Sequence, residues 1–489
     1  MAEATRTPEI AILGAGLSGM CMGIQLRRAG IRSFQIFEKE DRVGGTWRDN
    51  TYPGVACDVP SHLYSYSFDL NPDWSRLYSP GGEIQAYCER VAERHELGAH
   101  LRFGTEVERI AFEDGRWRIR LRDGAEHQAD VVVSAMGGLH RPFTPKLEGV
   151  ERYEGVHFHS ARWNHAHDLT GQRVAVIGSA ASAIQIVPSI AEQVAKLSLF
   201  QRTPNWILPR GDFAYSERAR RWLRNPGLAR LQRALIYLLS EARFPAFLKG
   251  SWMNRFIAAA CRRYIASEIA DERLRALLTP SYPPGCKRIL VSDDFYAAVA
   301  RENVSLVTAP IARFEKDGIV TADGVHHEVD TVIFATGFQP FNFLAPLEVI
   351  GPGGRSLREV WKDGIQAHRT VAVPGFPNFF LLLGPNSGLG HNSVILMIEA
   401  QVRYVLRCLQ ELGARGLAYL DPKPDAAARY DAELQAELGK TIWTGSCKSW
   451  YQDARGRVFT LWPHTTLRYL WQMREPALDE YRQLKPGEL

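Results

Sequence analysis

The sequence predicts an α/β fold of two Rossmann-like dinucleotide-binding domains with a helical insertion. Two β-α-β units with glycine-rich turns open at Gly14 and Gly178, 164 residues apart. Their second strands end differently, at Glu38 in one unit and beside Arg202 in the other. Between the second unit and the next long apolar strand, residues 216–278 carry recurring apolar positions with arginines between them and no strand-like alternation, the pattern of helices.

The first unit begins with the short apolar strand Ile10 to Leu13 and runs into Gly14-Ala15-Gly16-Leu17-Ser18-Gly19, then a helix to Arg28. Ser33 to Phe37 is its second strand. Glycines at these spacings let the backbone approach a pyrophosphate and let helix pack on sheet, and the helix N-terminus offers unpaired N–H groups with a partial positive charge. Glu38, 24 positions after Gly14, stands where a carboxylate accepts hydrogen bonds from a ribose 2′-hydroxyl.

The second unit has the strand Arg173 to Ile177, the turn Gly178-Ser179-Ala180-Ala181-Ser182-Ala183, a helix over about Ala181 to Gln193 and a strand Leu197 to Phe200. Ala180 replaces the middle glycine, so a Cβ stands where a ligand would approach most closely. The strand end reads Gln201-Arg202-Thr203-Pro204, with no acid. A carboxylate there would repel a 2′-phosphate, whereas an arginine binds one bidentately, so the second ligand is expected to be NADPH. Two dinucleotide sites in one chain imply hydride transfer from nicotinamide to flavin.

Further strands are expected at Ala129 to Ser134, closed by Gly137-Gly138, at Asp330 to Ala335, closed by Thr336-Gly337-Phe338, and at Phe379 to Leu383, before Gly384-Pro385-Asn386. A long helix from about Val394 to Leu412 follows. A net charge of +5 over 489 residues suits a ligand with several phosphates and does not point to nucleic acid. The seven cysteines are scattered, odd in number and without a C-x-x-C pair. That argues against a disulfide framework, a zinc site or a disulfide reductase; it favours a reducing, cytoplasmic location, with each cysteine a small buried residue. The polar start, Met1 to Glu9, lacks the features of a signal peptide, and no run is apolar enough to span a bilayer. Leu231 to Phe247 comes nearest, but Arg233, Glu241 and Arg243 interrupt it and Arg218, Arg220, Arg221 and Arg224 precede it. It reads as part of a helical subdomain with a solvated basic face rather than as an interfacial helix, so no membrane contact is expected.

Gly44-Gly45-Thr46-Trp47, Tyr52-Pro53-Gly54 and Cys57-Asp58 resemble the flavin-side motif of type I Baeyer–Villiger monooxygenases. Tyr153-x-Gly155-x-x-x-His159-x-x-x-Trp163-Asn164 is similar to that family's fingerprint, with Tyr153 and Asn164 as departures; ordinary flavin-containing monooxygenases lack the tryptophan. Ala335-Thr336-Gly337-Phe338, Gly285-Cys286-Lys287-Arg288 and Ser449-Trp450-Tyr451 match further segments. Within the family, Gly384-Pro385-Asn386 through Gly390-His391-Asn392-Ser393 resembles the 4-hydroxyacetophenone monooxygenase branch, without its N-terminal extension.

The resemblance implies FAD and NADP as cofactors, a ketone and O2 as substrates, and an ester or lactone formed through a C4a-peroxyflavin. Oxygenation of sulfur or nitrogen by a flavin hydroperoxide is the alternative. It also implies roles: Arg288 as the catalytic cation, Asp58 as the acid that orients it, and Lys287 as Arg202's companion at the 2′-phosphate, with Thr203 and Trp450 contacting the nicotinamide nucleotide. The candidate cofactor contacts are then Gly14, Gly16, Ser18, Gly19, Glu38, Lys39, Gly45, Thr46, Trp47, Asp58, Tyr64 and Val107, with Gly178, Ser179, Ala181, Ser182, Arg202, Thr203, Lys287, Asn386 and Trp450. No metal is expected. His159 falls near the domain interface and receives no catalytic role. Residues 1–150 and 336–489 are expected to form a discontinuous FAD domain, and residues 151–335 the NADP domain, with the helical insertion at about 213–280. The protein is expected to be a monomer or homodimer.

Overall fold

A computed structural model describes residues 8–339, 344–445 and 448–488. The chain lays down β1 (Ile10–Leu13), α1 (Leu17–Arg28), β2 (Phe34–Phe37), α2 (Thr46–Asp49), α3 (Gly81–Arg94) and β3 (Leu101–Arg102). The antiparallel β4 (Val107–Glu113), β5 (Arg116–Leu121) and β6 (Glu126–Ala129) precede β7 (Val131–Ser134). Then come β8 (Val156–His159), β9 (Arg173–Ile177), α4 (Ala183–Ile190), β10 (Lys196–Phe200) and β11 (Ile207–Leu208). Four helices follow, α5 (Glu217–Leu223), α6 (Pro226–Glu241), α7 (Trp252–Glu268) and α8 (Glu272–Leu278). The chain continues with β12 (Leu290–Val291), α9 (Phe295–Val299), β13 (Val304–Val307), the antiparallel β14 (Ile311–Glu315), β15 (Gly318–Thr321) and β16 (His326–Glu328), and β17 (Thr331–Phe334). The last stretch holds β18 (Glu348–Ile350), α10 (Leu357–Val360), β19 (Phe379–Leu381), α11 (Val394–Arg415), β20 (Tyr419–Pro422), α12 (Pro424–Leu438), α13 (Thr466–Gln472) and β21 (Tyr481–Leu484).

Two parallel sheets organise these elements, in the orders β19-β7-β1-β2-β3 and β13-β10-β9-β17-β8. In each, the strand before the glycine turn is central; β1 is apolar throughout and β9 is apolar after Arg173 at its start, as a strand covered on both faces must be. β8, the fingerprint strand, pairs with β17 in the register His159↔Phe334. The segments leaving β7 and β17 run side by side, with Phe143 N donating to Gly337 O (2.8 Å) and Gln339 N to Arg141 O (3.0 Å).

The expected elements are present, with shifted ends. The strand read as Ala129 to Ser134 is two strands of different sheets, divided at Asp130. That carboxylate accepts from Glu9 N (2.7 Å) and Arg116 Nε (3.0 Å), contacts that end the antiparallel strand. β19 stops at Leu381, and Leu383 is left-handed (φ 52°). α4 begins two residues later than expected and stops at Ile190. α11 runs on to Arg415, where Gly416 at φ 63° supplies the left-handed cap. Cys21, Cys57, Cys88, Cys261 and Cys408 are buried and free, as expected. Cys286 corrects the reading: it is buried but disulfide-bonded, a link that sequence spacing does not reveal. Cys447 lies outside the described residues. Among the described residues no cluster fit to hold a metal ion occurs, and no helix is long and apolar enough to cross a membrane.

Candidate active site

The first turn separates the glycines that packing demands from the one that it does not. A Cβ on Gly14 (φ 102°) would lie 2.9 Å from Ala135 O, and one on Gly19 would lie 1.9 Å from Gly14 O. On Gly16 the nearest atom would be Gly45 Cα at 3.7 Å, so no protein atom demands a glycine there; its open side fits a pyrophosphate. Ser18 is buried in the first turn of α1, which has no side-chain cap and no acid among its first residues. Gly45, at φ 53°, packs against Gly16 and starts the helix that carries Thr46 and Trp47. Trp47 Nε1 donates to Tyr64 Oη (3.2 Å), and the two rings meet edge to face. Val107 opens β4, and Lys39 lies 3.7 Å from Glu40.

Glu38 is 5% exposed, and its carboxylate accepts from Ala15 N (2.8 Å) and Glu40 N (3.1 Å). Arg48, which the sequence reading passed over, pairs with it at 3.1 Å. Burial disfavours the Arg48 charge, but Glu38 and Asp49 outweigh it and hold the guanidinium more firmly protonated than usual. A neutralised, anchored Glu38 still offers lone pairs to ribose hydroxyls.

In the second turn, a Cβ on Gly178 (φ 108°) would lie 2.4 Å from Ala335 O. Ala180 and Ala181 are exposed and Ser182 forms no cap, so the entry to α4 is open to a ligand despite the missing middle glycine. Ser179 Oγ donates to Thr203 O (3.3 Å), and Asn205 Nδ2 to Ser179 O (2.9 Å), tying the turn to the segment that carries Arg202.

Residues some 85 positions further on reach this segment because β11 and β12 pair in parallel, with Leu290 N on Trp206 O (2.9 Å). Trp206 Nε1 donates to Tyr282 O (2.7 Å), and Tyr282 Oη to Pro204 O (2.8 Å). Lys287 lies over the Tyr282 ring, 5.0 Å from its centroid. Burial, and then the charge of exposed Arg202, push the Lys287 ammonium below the usual lysine range. Among the described residues neither cation has a carboxylate within ion-pair distance. Two unneutralised cations side by side fit a dianionic phosphate.

The loop from Tyr52 to Asp58 leaves the first unit and lies on α4 of the second. Tyr52 Oη donates to Gln185 Oε1 (3.0 Å), and Gln185 Nε2 donates to Ala56 O (3.0 Å). A Cβ on Gly54 (φ 80°) would lie 2.2 Å from Ser189 Oγ and 2.5 Å from Gln185 O, so the chain passes this helix as closely as a glycine allows. Arg210, also missed, donates from Nη2 to Cys57 O (2.8 Å) and stacks over Tyr78.

This loop delivers Asp58 to Arg288. Arg288 Nε donates to one carboxylate oxygen and Nη2 to the other, both at 2.8 Å, in bidentate geometry. Asp58 is the main reason that the guanidinium is held above its ordinary range; it is charged at any working pH. The Arg288 side chain stays 38% exposed, and Asp58 leaves Nη1 free of its grip. Buried Tyr451 lies beside the pair; burial pushes its hydroxyl up to about 12, so it keeps its proton.

The remaining candidates lie at the margins. Asn386 is left-handed (φ 56°) and 2% exposed, and its amide donates to Val458 O (3.1 Å) and Leu461 O (3.0 Å). Those bonds hold the 458–461 segment against the loop before α11. Trp450 is half exposed and stacks at an angle on Tyr451. His159 is buried and accepts from Ala161 N (3.0 Å); burial lowers its ring to about 4, so it is neutral. Arg48, Gln185 and Arg210 left no sequence signal: nothing distinguishes two arginines among 59 Lys and Arg, or a helix glutamine, until the partner across the fold is known.

A chain with one dinucleotide turn keyed by an acid and a second keyed by bases is a flavoprotein that takes its electrons from NADPH. Residues 11–229 match the family model described as pyridine nucleotide-disulphide oxidoreductase. A Baeyer-Villiger monooxygenase of Streptomyces coelicolor is 46% identical over 98% of this chain and 93% of its own length, and one of Pseudomonas aeruginosa is 44% identical over 95% and 89%. Among solved structures, an oxidized steroid monooxygenase bound to NADP is 30% identical with a TM-score of 0.88, covering 98% of this chain and all of its own. A cyclohexanone monooxygenase in a closed form is 27% identical with a TM-score of 0.88 over 99% of this chain and all of its own. The chain belongs to the type I Baeyer–Villiger monooxygenase family and is an NADPH-dependent flavoprotein monooxygenase that uses FAD and NADP.

Proposed function

We propose that the chain inserts one oxygen atom of O2 beside a ketone carbonyl, giving an ester or lactone. The observation that carries this reading is the bidentate Arg288–Asp58 pair, with one edge of the guanidinium unclaimed among the described residues. FAD, once reduced by NADPH, supplies the activated oxygen. Attack on a ketone puts negative charge on oxygen, and a permanently charged donor fixed in place stabilises that charge without having to reorient. Asp58 fixes the donor, and Tyr451 offers a protonated hydroxyl at its side. A ketone substrate class is in keeping with the name of the cyclohexanone monooxygenase relative.

In this reading Arg202 and Lys287 hold the 2′-phosphate, Thr203 and Trp450 contact the nicotinamide nucleotide, and Gly16 and Glu38 receive the pyrophosphate and ribose of FAD. The sheet containing β1 then belongs to an FAD domain of residues 1–150 and 336–489, and the sheet containing β9 to an NADP domain of 151–335. Ketones meet Arg288 between them, where closure excludes water. The test is Arg288→Ala followed in two assays. Anaerobic reduction of the flavin by NADPH should proceed at near the normal rate, while ester formation from a panel of cyclic, aryl and linear ketones should disappear. Ester formation at an undiminished rate would refute the assignment.

A further inference from the structure

α6 is turned inside out. Leu228, Leu231, Leu235, Leu238 and Leu239 fall within an arc of about 100° on a helical wheel. Each is between 44% and 66% exposed. The opposite side of the helix is buried, and it consists of Ala229, Arg233 and Ser240. The rotation is fixed by that inner face: Arg233 Nη1 donates to His62 O (2.9 Å), Leu63 O (3.1 Å) and Ser65 O (2.9 Å). At the C-terminal end Glu241 accepts from Asn392 Nδ2 (2.7 Å) and from Thr466 N (3.1 Å). The leucines therefore cannot roll inward without stripping a buried guanidinium of its partners.

The apolar surface continues beyond the helix. Leu467 N lies 3.5 Å from the Glu241 carboxylate, so α13 abuts the end of α6, and Leu467 and Trp471, one turn apart, are 65% and 76% exposed. On the other side Trp222 of α5 is 59% exposed, with Arg218 over its ring. The stripe lies within a basic stretch of the chain. Residues 217–268 hold eleven arginines and lysines against three glutamates, a net +8, although the whole chain carries only +5. The basic excess of the protein is thus concentrated where its apolar surface is exposed.

We propose that this face docks on the surface of a bilayer containing anionic phospholipid, with the leucines of α6 at the level of the acyl boundary and the surrounding arginines on the headgroups. Apolar residues facing out and long cations that can extend past them are what an interfacial, non-spanning helix needs. A second copy of the chain fits less well, because a twofold contact through this face would bring two strongly basic segments together.

The FAD-loaded full chain should co-sediment with vesicles of phosphatidylcholine containing about one-third phosphatidylglycerol, and about tenfold less with phosphatidylcholine alone. Raising salt to about 0.5 M should weaken the binding. Leu235→Glu with Leu239→Glu should reduce it by about tenfold or more while leaving NADPH oxidation unchanged, which also reports that the fold is intact. Arg221→Glu with Arg230→Glu should remove the dependence on anionic lipid. Failure to sediment with the anionic vesicles, or sedimentation that both double variants leave intact, overturns the proposal. So does a dimer, seen by light scattering, that the leucine variant splits, which assigns the face to a second copy.

Discussion

Arg202→Ala separates a phosphate contact from an ordinary surface charge. The side chain is exposed and has no acidic partner among the described residues, so its loss should change folding stability by no more than about 0.5 kcal/mol. Bound to a 2′-phosphate, it supplies a charge-assisted hydrogen bond worth about 1.5–3 kcal/mol, or about ten- to a hundredfold in apparent KM. NADH lacks that phosphate and should show almost no change. The neighbouring lysine adds a second signature. Lys287 is held low by burial and by Arg202, so in the wild type NADPH binding should weaken as pH rises through its depressed pKa. Removing Arg202 lets that pKa rise, and the alkaline limb of 1/KM for NADPH should move to higher pH. Steady-state kinetics with both nucleotides across pH, with a thermal melt as control, measure all of this. An equal rise in KM for NADPH and NADH would refute the reasoning.

Further expectations concern the loop and the helical insertion. Asp58→Asn keeps a side chain of the same shape but lets Arg288 wander; ketone turnover should fall while flavin reduction by NADPH stays near normal, and an unchanged ester-forming rate would remove Asp58 from its positioning role. Gly54→Ala adds a Cβ 2.5 Å from the Gln185 carbonyl at φ 80°, so it should destabilise the protein by about 2 kcal/mol or more, read as a lower Tm. Burial pushes Glu241 up, but hydrogen bonds from His391, Thr466 and Asn392 bring it down to about 2. Its folded pKa lies below its unfolded one, so its stabilisation is complete above the ordinary glutamate range and fades as pH falls toward 2. Glu241→Gln should therefore lower Tm at neutral pH, and the gap from wild type should close as the solution is acidified.

What could be read from the sequence was local. The strand before each glycine turn, the acid closing β2 and the base following β10 are set by residues within about two dozen positions of one another, and composition exposes them. The segment Lys287-Arg288 was recognisable only through its resemblance to a family motif; its convergence on Arg202 depends on the pairing of β11 with β12, which no local pattern announces. Arg48, Gln185 and Arg210 depend likewise on contacts made across the fold. α6 illustrates a different limit. Its apolar periodicity was plain and marked a helix, but periodicity has no inside or outside. A solvated basic face is what the arginines around it suggest, and Arg230 is exposed, but Arg233 is buried and the leucines face out.

The amide of Gln185 grips the loop at two points, Tyr52 and Ala56, and such a clamp tolerates a single spacing. On the proposed function, anyone grafting residues 52–58 from a relative to widen the range of ketones would be exchanging half of a matched set. Unless the accompanying face of α4 travels with the graft, the carboxylate at position 58 would arrive out of line with the guanidinium it has to hold, and the redesigned enzyme would consume NADPH without delivering ester.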